Sequence, residues 1–220
     1  MLATLTLGSE ALSQRSTEPA AFREDTRKPV ASDRMKGFML GVYTVGAPGI
    51  TLTGDDIDGS FATTFGPGAG ATIGFGVTNR LSAYASFDIA KQKTAPNDTP
   101  DGSWGLAHFE VGGRASLPLG RSSTIPYVTA GWGRRALAAR VEFDDGDGVD
   151  VSFSGSMISV GGGIEHFISP TLAIDAGVGL GFGTLDDYEE GGETVDVQLD
   201  RTRSMRLRIG MTWRPGARSN

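Results

Sequence analysis

Apolar residues alternate with small or polar residues along most of this chain, and this period of two predicts β-strands. The pattern is clearest in two neighbouring stretches joined only by Ser169, Pro170 and Thr171. In the second stretch the apolar positions are Leu172, Ile174, Ala176, Val178, Leu180 and Phe182, and the residues between them are mostly glycine. Two alternating segments with so short a connection predict a β-hairpin.

The same pattern predicts eight strands, with connections that are alternately long and short. The strands lie at about 37–46, 68–78, 81–90, 104–117, 125–143, 151–168, 172–183 and 202–213. In the fifth strand the alternation breaks at Arg134 and Arg135, where we expect a β-bulge that returns Leu137, Ala139 and Val141 to the apolar face. The result is an antiparallel up-and-down meander whose long loops, including an acidic loop at 184–200, share one end.

Strand length and glycine content favour a barrel that crosses a membrane. Strands of about ten residues match the roughly 9–11 residues that cross a bilayer. Alternation alone leaves open a soluble or periplasmic lipocalin-like barrel that binds a ligand. The 33 glycines argue against it, because glycine in a solvated strand lowers stability by up to about 1 kcal/mol. The narrow lumen of an eight-stranded barrel, in contrast, requires small residues.

Composition excludes several other kinds of chemistry. The chain has no cysteine, so it forms no disulfide or thiolate metal site, and it has only two histidines. No apolar run is long enough for a transmembrane helix. The net charge of −6 argues against nucleic-acid binding. Acidic residues concentrate in and next to the predicted long loops: residues 46–66, 91–103, 142–150 and 184–200 hold 17 of the 26.

The ends of the chain lack strand periodicity. Residues 1–36 mix charges of both signs and are predicted to be a flexible leader, in which the apolar stretch from Leu2 to Leu7 leaves open the remnant of a signal peptide. The barrel domain is predicted at 37–213, followed by a short tail at 214–220.

Three segments carry a resemblance to a known family: GFGVTNRLSAYASFDIA from Gly74, SLPLGRSSTIPYVTAGWG from Ser116 and GGGIEHFISPTLAIDAGVG from Gly161. Each is similar to the strand, short turn and strand unit of small outer-membrane β-barrel domains of the OmpA and OmpX type. The resemblance implies an all-β, eight-stranded transmembrane barrel in a bacterial outer membrane, with a periplasmic N-terminus and extracellular long loops. It implies a structural or surface-interaction role, with an unidentified surface partner.

The same resemblance implies two further kinds of partner. One is outer-membrane lipid, including lipopolysaccharide. The other is the barrel-assembly machinery, which reads an aromatic residue at the end of the family's last strand. Trp213 is placed for that role, although Arg214 to Asn220 follow it.

Charged residues on the non-apolar faces are the candidate site. An unpaired charge in a narrow lumen is costly, so these side chains are expected to form ion pairs. They are Asp88, Glu110, Arg114, Glu165, Asp175, Arg206 and Arg208. Such a network either holds the barrel closed, which we favour, or lines a narrow ion pore. No cofactor is predicted.

Enzymatic and metal-binding alternatives have less support. Some barrels of this size resemble lipid A deacylases with a histidine and a serine two residues apart, but His166 and Ser169 are three apart. We therefore predict no enzyme. Asp144, Asp145, Asp147 and Asp150 are weaker candidates for a divalent cation site. They lack EF-hand spacing, and a solvated loop tip is the favoured interpretation.

Overall fold

The structure, a computed structural model, describes residues 35–47, 50–53, 61–62, 65–93, 103–119, 122–142, 148–190 and 193–215. Its strands are β1 (Gly37–Ala47), β2 (Ile50–Thr53), β3 (Phe61–Ala62), β4 (Gly66–Gly76), β5 (Leu81–Lys93), β6 (Ser103–Ser116), β7 (Thr124–Glu142), β8 (Gly148–Phe167), β9 (Leu172–Glu190) and β10 (Glu193–Trp213). Within these ranges no helix has the length and apolar character needed to span a bilayer.

Eight of the strands form a closed antiparallel barrel. Strands β4 to β10 pair in chain order, and β1 lies between β4 and β10. At the seam Leu40 lies opposite Trp213 and Gly46 opposite Leu207. The predicted fold class is therefore confirmed. The two short strands continue the sheet beyond the seam, since β2 pairs with residues 201–204 of β10 and β3 pairs with β2.

The strands differ greatly in length. Strands β1 and β4 have 11 residues each, whereas β7 to β10 have 19 to 21. Because β4–β5, β6–β7 and β8–β9 are joined by short turns at one end, the additional residues project from the other end. We call this projecting part the extension: residues 134–142, 148–156, 184–190 and 193–203, together with β2 and β3.

The predicted acidic loop at 184–200 is wrong for most of its length. Strand β9 continues to Glu190 and β10 begins at Glu193, with Glu193 opposite Glu190 and Asp196 opposite Asp187. Register shifts interrupt the pairing on both sides of Leu199. Acidic residues and the neighbouring Gly191 and Gly192 are typical of loops, which is why the sequence pattern concealed these strand segments. The predicted first long loop likewise contains β2 and β3.

The predicted bulge in β7 is also wrong. Strand β7 pairs with β6 and β8 without a register shift across Arg134 and Arg135. Arg134 faces outward, whereas Arg135 is buried in the lumen and Leu137 follows it inward. The strand keeps its geometry, and the polarity of its two faces inverts instead.

We call the part of the barrel below Arg134, towards the short turns, the belt. The outward side chains of the belt are large and apolar. Val128, Trp132, Ile158 and Ile209 each expose more than half of their surface, at 53%, 56%, 63% and 59%. A continuous apolar surface of this size on a folded domain indicates contact with another apolar phase. Together with the closed barrel, it gives these strands the exterior of a membrane-spanning structure.

Two apolar clusters lie inside the barrel, one at each end. Met35, Ile125, Phe167 and Ala173 are buried together at the turn end. Val45, Ala47, Ala90, Leu106, Leu137 and Leu185 are buried inside the other end, with Tyr43, Trp104 and Phe153 packed against them. The charged part of the lumen lies between these two clusters.

Candidate functional site

All seven of the charged residues singled out from the sequence point into the lumen. Asp88, Glu110, Arg114, Glu165 and Asp175 are buried, and Arg206 and Arg208 are largely so. They come from several strands, and the contacts of Arg206 and Arg114 cross the barrel. The side chains form two groups at different heights.

The upper group is centred on Arg206. Its guanidinium lies 3.0 Å from Asp88 Oδ2 and 2.5 Å from Glu110 Oε2, joining β10 to β5 and β6. His108 Nδ1 lies 3.3 Å from the other oxygen of Asp88, and Tyr84 donates a hydrogen bond to Glu110 Oε1. Arg206 therefore binds both carboxylates, whereas the contact between His108 and Asp88 Oδ1 does not have hydrogen-bond geometry.

The lower group is centred on two carboxylates. Glu165 is bound by Arg114 at 2.8 Å and by Arg214 at 3.2 Å. Asp175 accepts from Tyr127 Oη at 2.9 Å and from Arg114 Nη1 at 3.4 Å. Arg208 Nε lies farther away, at 3.7 Å from Asp175 Oδ1. Charge-assisted contacts of this kind are strong when they are removed from water.

Glycines make room for the aromatic member of the lower group. A Cβ atom at Gly163 or Gly177 would lie 2.5 or 2.6 Å from the hydroxyl oxygen of Tyr127. The Arg114 guanidinium covers the other side of the ring, 3.6 Å from its centroid. Glycine on the inward face is thus a requirement of packing in this lumen.

Sequence reasoning missed several members of the two groups. His108, Tyr84 and Tyr127 lie on strand faces that the sequence already predicts to be inward. The alternation of inward and outward positions could therefore have identified them. Arg135 was concealed by the expected bulge; its guanidinium donates to Ser204 Oγ and to the Thr202 carbonyl oxygen. Arg214 was assigned to the tail, although it continues the inward parity of Arg206 and Arg208.

The end of β10 combines an outward and an inward side chain. Trp213 lies on the outer surface and is 47% exposed. Arg214 lies fully buried in the lumen, binds Glu165, and donates to the carbonyl oxygen of Met35 at 3.4 Å. The chain is therefore tied across its own seam directly after Trp213.

The lumen has little open space between these groups. Cavities of about 20 Å³ lie on either side of Arg208, and a single water needs roughly 10–15 Å³. Ion pairs and the two apolar clusters fill the space around them.

The residues weighed for catalysis do not form a pair with each other. His166 is exposed on the outer face, with Nδ1 2.8 Å from Thr124 Oγ1. Ser169 Oγ accepts hydrogen bonds from the backbone nitrogens of Thr171 and Leu172, at 3.3 and 3.0 Å, within the β8–β9 turn. Ser169 thus stabilises the turn.

The candidate cation site lies outside what the structure describes. Asp144, Asp145 and Asp147 fall in a stretch that is not described, and Asp150 is described only in its backbone. Among the side chains that are described, no cluster of three or more histidine, aspartate or glutamate residues could hold a metal ion.

Several solved structures of outer-membrane proteins have a similar fold. The crystal structure of Neisserial surface protein A (NspA) matches with a TM-score of 0.57 and 16% identity, over 81% of this chain and 97% of that one. Ail of Yersinia pestis (TM-score 0.47, 15% identity) and OprG of Pseudomonas aeruginosa (0.46, 12%) match over 81% of this chain and over 100% and 96% of their own. No curated protein matches in sequence.

The likeness to NspA, at this identity, concerns the fold. The sequence itself carries the family relationship, because the model of the outer membrane protein β-barrel domain matches residues 29–199. That range includes every barrel strand except residues 200–213 of β10. The apolar exterior, the closed sheet and the charge-paired lumen are all consistent with this match, and the chain belongs to the outer membrane protein β-barrel domain family.

Proposed function

We propose that this chain is an integral protein of a bacterial outer membrane that acts by surface interaction and not by catalysis. Its N-terminus is periplasmic, and the extension projects from the cell. The observation that carries the proposal is the length of β7 to β10. About ten residues cross a bilayer. The remaining nine or so add roughly 30 Å of strand at about 3.3 Å per residue, which at a tilt of about 45° extends roughly 20 Å beyond the bilayer.

The outward side chains favour placing the bilayer surface at Arg134. Its guanidinium lies 2.8 Å from Asp187 Oδ2, and Ser154 Oγ lies 3.2 Å from the same oxygen. This polar cluster lies just above the apolar Trp132. A hydrocarbon phase does not accommodate exposed ion pairs, so the belt ends here.

Basic residues at this level support lipid as one partner. Lys91, Arg134 and Arg203 all face outward and are exposed near the top of the belt. Phosphate groups of lipopolysaccharide lie at the corresponding depth of an outer leaflet. Trp213, at the opposite end of the belt, is proposed as the aromatic residue that the barrel-assembly machinery reads.

The charge of the extension suggests the chemistry of the surface partner. Glu189, Glu190 and Glu193 lie at the tip of the β9–β10 hairpin, with Glu193 opposite Glu190. Their charge is negative, as is the net charge of the whole chain, and a surface of one charge attracts partners of the opposite charge. The partner is therefore expected to be a cationic macromolecule.

Adhesion of intact cells tests the proposal. Cells that carry the full chain should adhere to polylysine-coated surfaces more than cells without it, and adhesion should fall as salt is raised. The variant E189Q/E190Q/E193Q should lose most of this gain. The matched control R80Q, in the turn at the opposite end, should retain it. Equal adhesion of both variants, or preferential adhesion to heparin, would contradict the proposed partner.

Fractionation tests the membrane location separately. The chain should require detergent for extraction and should migrate differently on a gel before and after heating. A chain that partitions into water without detergent, with no heat-dependent change in mobility, would rule out the integral membrane location whatever the result of the adhesion assay.

A further inference from the structure

His108 differs from the other members of the upper group because a histidine can gain a charge close to neutral pH. It lies on β6 and is 1% exposed, directly opposite Asp88 of β5 on one side and Arg135 of β7 on the other. In the described part of the chain neither of its ring nitrogens has a partner in hydrogen-bond geometry. Buried polar groups are usually hydrogen-bonded, so this histidine is an exception.

The carboxylates beside His108 are already bound to an arginine. Arg206 lies 3.0 Å from Asp88 Oδ2 and 2.5 Å from Glu110 Oε2. Glu110, two residues from His108 on β6, also accepts a hydrogen bond from Tyr84. A proton on His108 would therefore place a positive charge near Arg206 without a carboxylate of its own.

Arg135 is the neighbour that such a proton would affect most. Among the described side chains it contacts no carboxylate, and its guanidinium donates to Ser204 Oγ at 3.3 Å and to the Thr202 carbonyl oxygen at 3.2 Å. These two hydrogen bonds connect β7 to β10 across the lumen at the base of the extension. Because both acceptors are neutral, the bonds are weaker than those of an ion pair.

The lumen has no spare negative charge in the part of the chain that is described. Its carboxylates are those of Asp88, Glu110, Glu165 and Asp175, and its guanidinium groups are those of Arg114, Arg135, Arg206, Arg208 and Arg214. A further buried positive charge is therefore unfavourable. The folded protein takes up a proton at His108 less readily than the unfolded chain, in which a histidine titrates at about pH 6.5.

We propose that His108 is an acid-sensitive switch that controls how firmly the extension is packed. At neutral pH the uncharged ring allows Arg135 to hold β10. In acid the protonated ring repels Arg135, and the contact between β7 and β10 opens. The next inward row, formed by Ala90, Leu106 and Leu137 of the upper apolar cluster, then becomes accessible to water. The switch depends on contacts inside the lumen and not on the proposed surface partner.

Urea unfolding of the full chain in neutral detergent, at pH 7.5 and pH 5.5, tests the switch. The chain has only two histidines, and most carboxylates keep their charge in this range. Because the unfolded chain binds more protons below about pH 6.5, stability falls as the pH falls, and the urea midpoint should decrease by about 0.5–1 M. H108Q should lose this decrease, whereas H166Q, which removes the exposed histidine, should retain it. An equal decrease in H108Q, or none in the native chain, would overturn the proposal.

Cysteine labelling locates the loosening and does not require H108Q to fold. Ala90→Cys lies in the upper apolar cluster and Ala173→Cys in the cluster at the turn end, and both positions are buried. Each labelling rate is divided by the rate of the unfolded chain at the same pH, which corrects for ionisation of the thiol. From pH 7.5 to pH 5.5 the corrected rate should rise by up to about tenfold for Ala90→Cys and stay constant for Ala173→Cys. An equal rise at both positions, or no rise at Ala90→Cys, would contradict the switch.

Discussion

The belt and the extension are built from the same strands, but their polarities are opposite. In the belt the outward residues are apolar and the inward residues are charged. In the extension Arg134, Ser154 and Asp187 face outward, while Leu137 and Leu185 are buried inside. A single β-sheet thus changes from the polarity of a membrane barrel to that of a soluble one within one strand.

This difference shows that the surroundings, and not the strand geometry, determine which face is apolar. Strand β7 has continuous pairing on both sides, so the backbone is the same above and below Arg134. In the proposed membrane position, lipid contacts the outer face below that level and water contacts it above. The inversion therefore marks the height at which the solvent changes.

The largest predicted effect on the free energy of unfolding comes from the charged side chains enclosed in the lumen of the belt. Glu165→Ala leaves Arg114 and Arg214 without their shared carboxylate, and should lower the free energy of unfolding by about 3–5 kcal/mol. Asp187→Ala removes a carboxylate from the exposed pair with Arg134 and should cost at most about 1 kcal/mol. Urea unfolding in detergent measures both. Similar losses in the two variants would break the distinction between enclosed and exposed charges.

The next effect concerns the apolar interior of the extension. Leu137→Ala leaves a cavity among buried side chains and should cost about 2–5 kcal/mol. Val128→Ala, on the outer face of the belt, loses only the transfer of its methyl groups because detergent or lipid chains fill the space, at about 0.8 kcal/mol per carbon. The same unfolding measurement applies. A smaller loss for Leu137→Ala than for Val128→Ala would mean that the upper cluster is not a core.

The smallest of the three effects on stability comes from placing a charge on the outer face of the barrel. Val160→Arg places a charge on the lipid side of the belt and should cost about 2–4 kcal/mol. Ser152→Arg, eight residues away on β8 in the extension, should change stability by less than about 0.5 kcal/mol. Unfolding from lipid vesicles measures the two variants. Equal effects would place both positions in the same solvent.

The belt could be predicted from the sequence and the extension could not. In the belt, alternation such as Leu207, Ile209 and Met211 against Arg206, Arg208 and Gly210 gives both the strand and its faces. In the extension, the concentration of acidic residues and the neighbouring Gly191 and Gly192 made strand segments resemble a loop. The rule that apolar residues face lipid then assigned Leu137 to the wrong side.

The sequence predicts which residues face the lumen more completely than it predicts the ion pairs that these residues form. Parity places Glu165 and Asp175 inside, but it does not tell which arginine crosses the barrel to reach them. Those contacts depend on how far each strand is displaced along its neighbours, which no local pattern of residues encodes. Arg214 shows the limit most clearly, because it lies beyond the predicted last strand and still binds Glu165.

Labelling of single cysteines along β7 tests the inversion most directly, because the native chain has no cysteine. Ala130→Cys and Ala138→Cys both face outward and are exposed, one below Arg134 and one above it. In lipid vesicles, a membrane-impermeant maleimide applied to both sides should label Ala138→Cys rapidly and Ala130→Cys hardly at all. Both should react after unfolding. Equal rates at the two positions in the folded protein would contradict the change of solvent at Arg134.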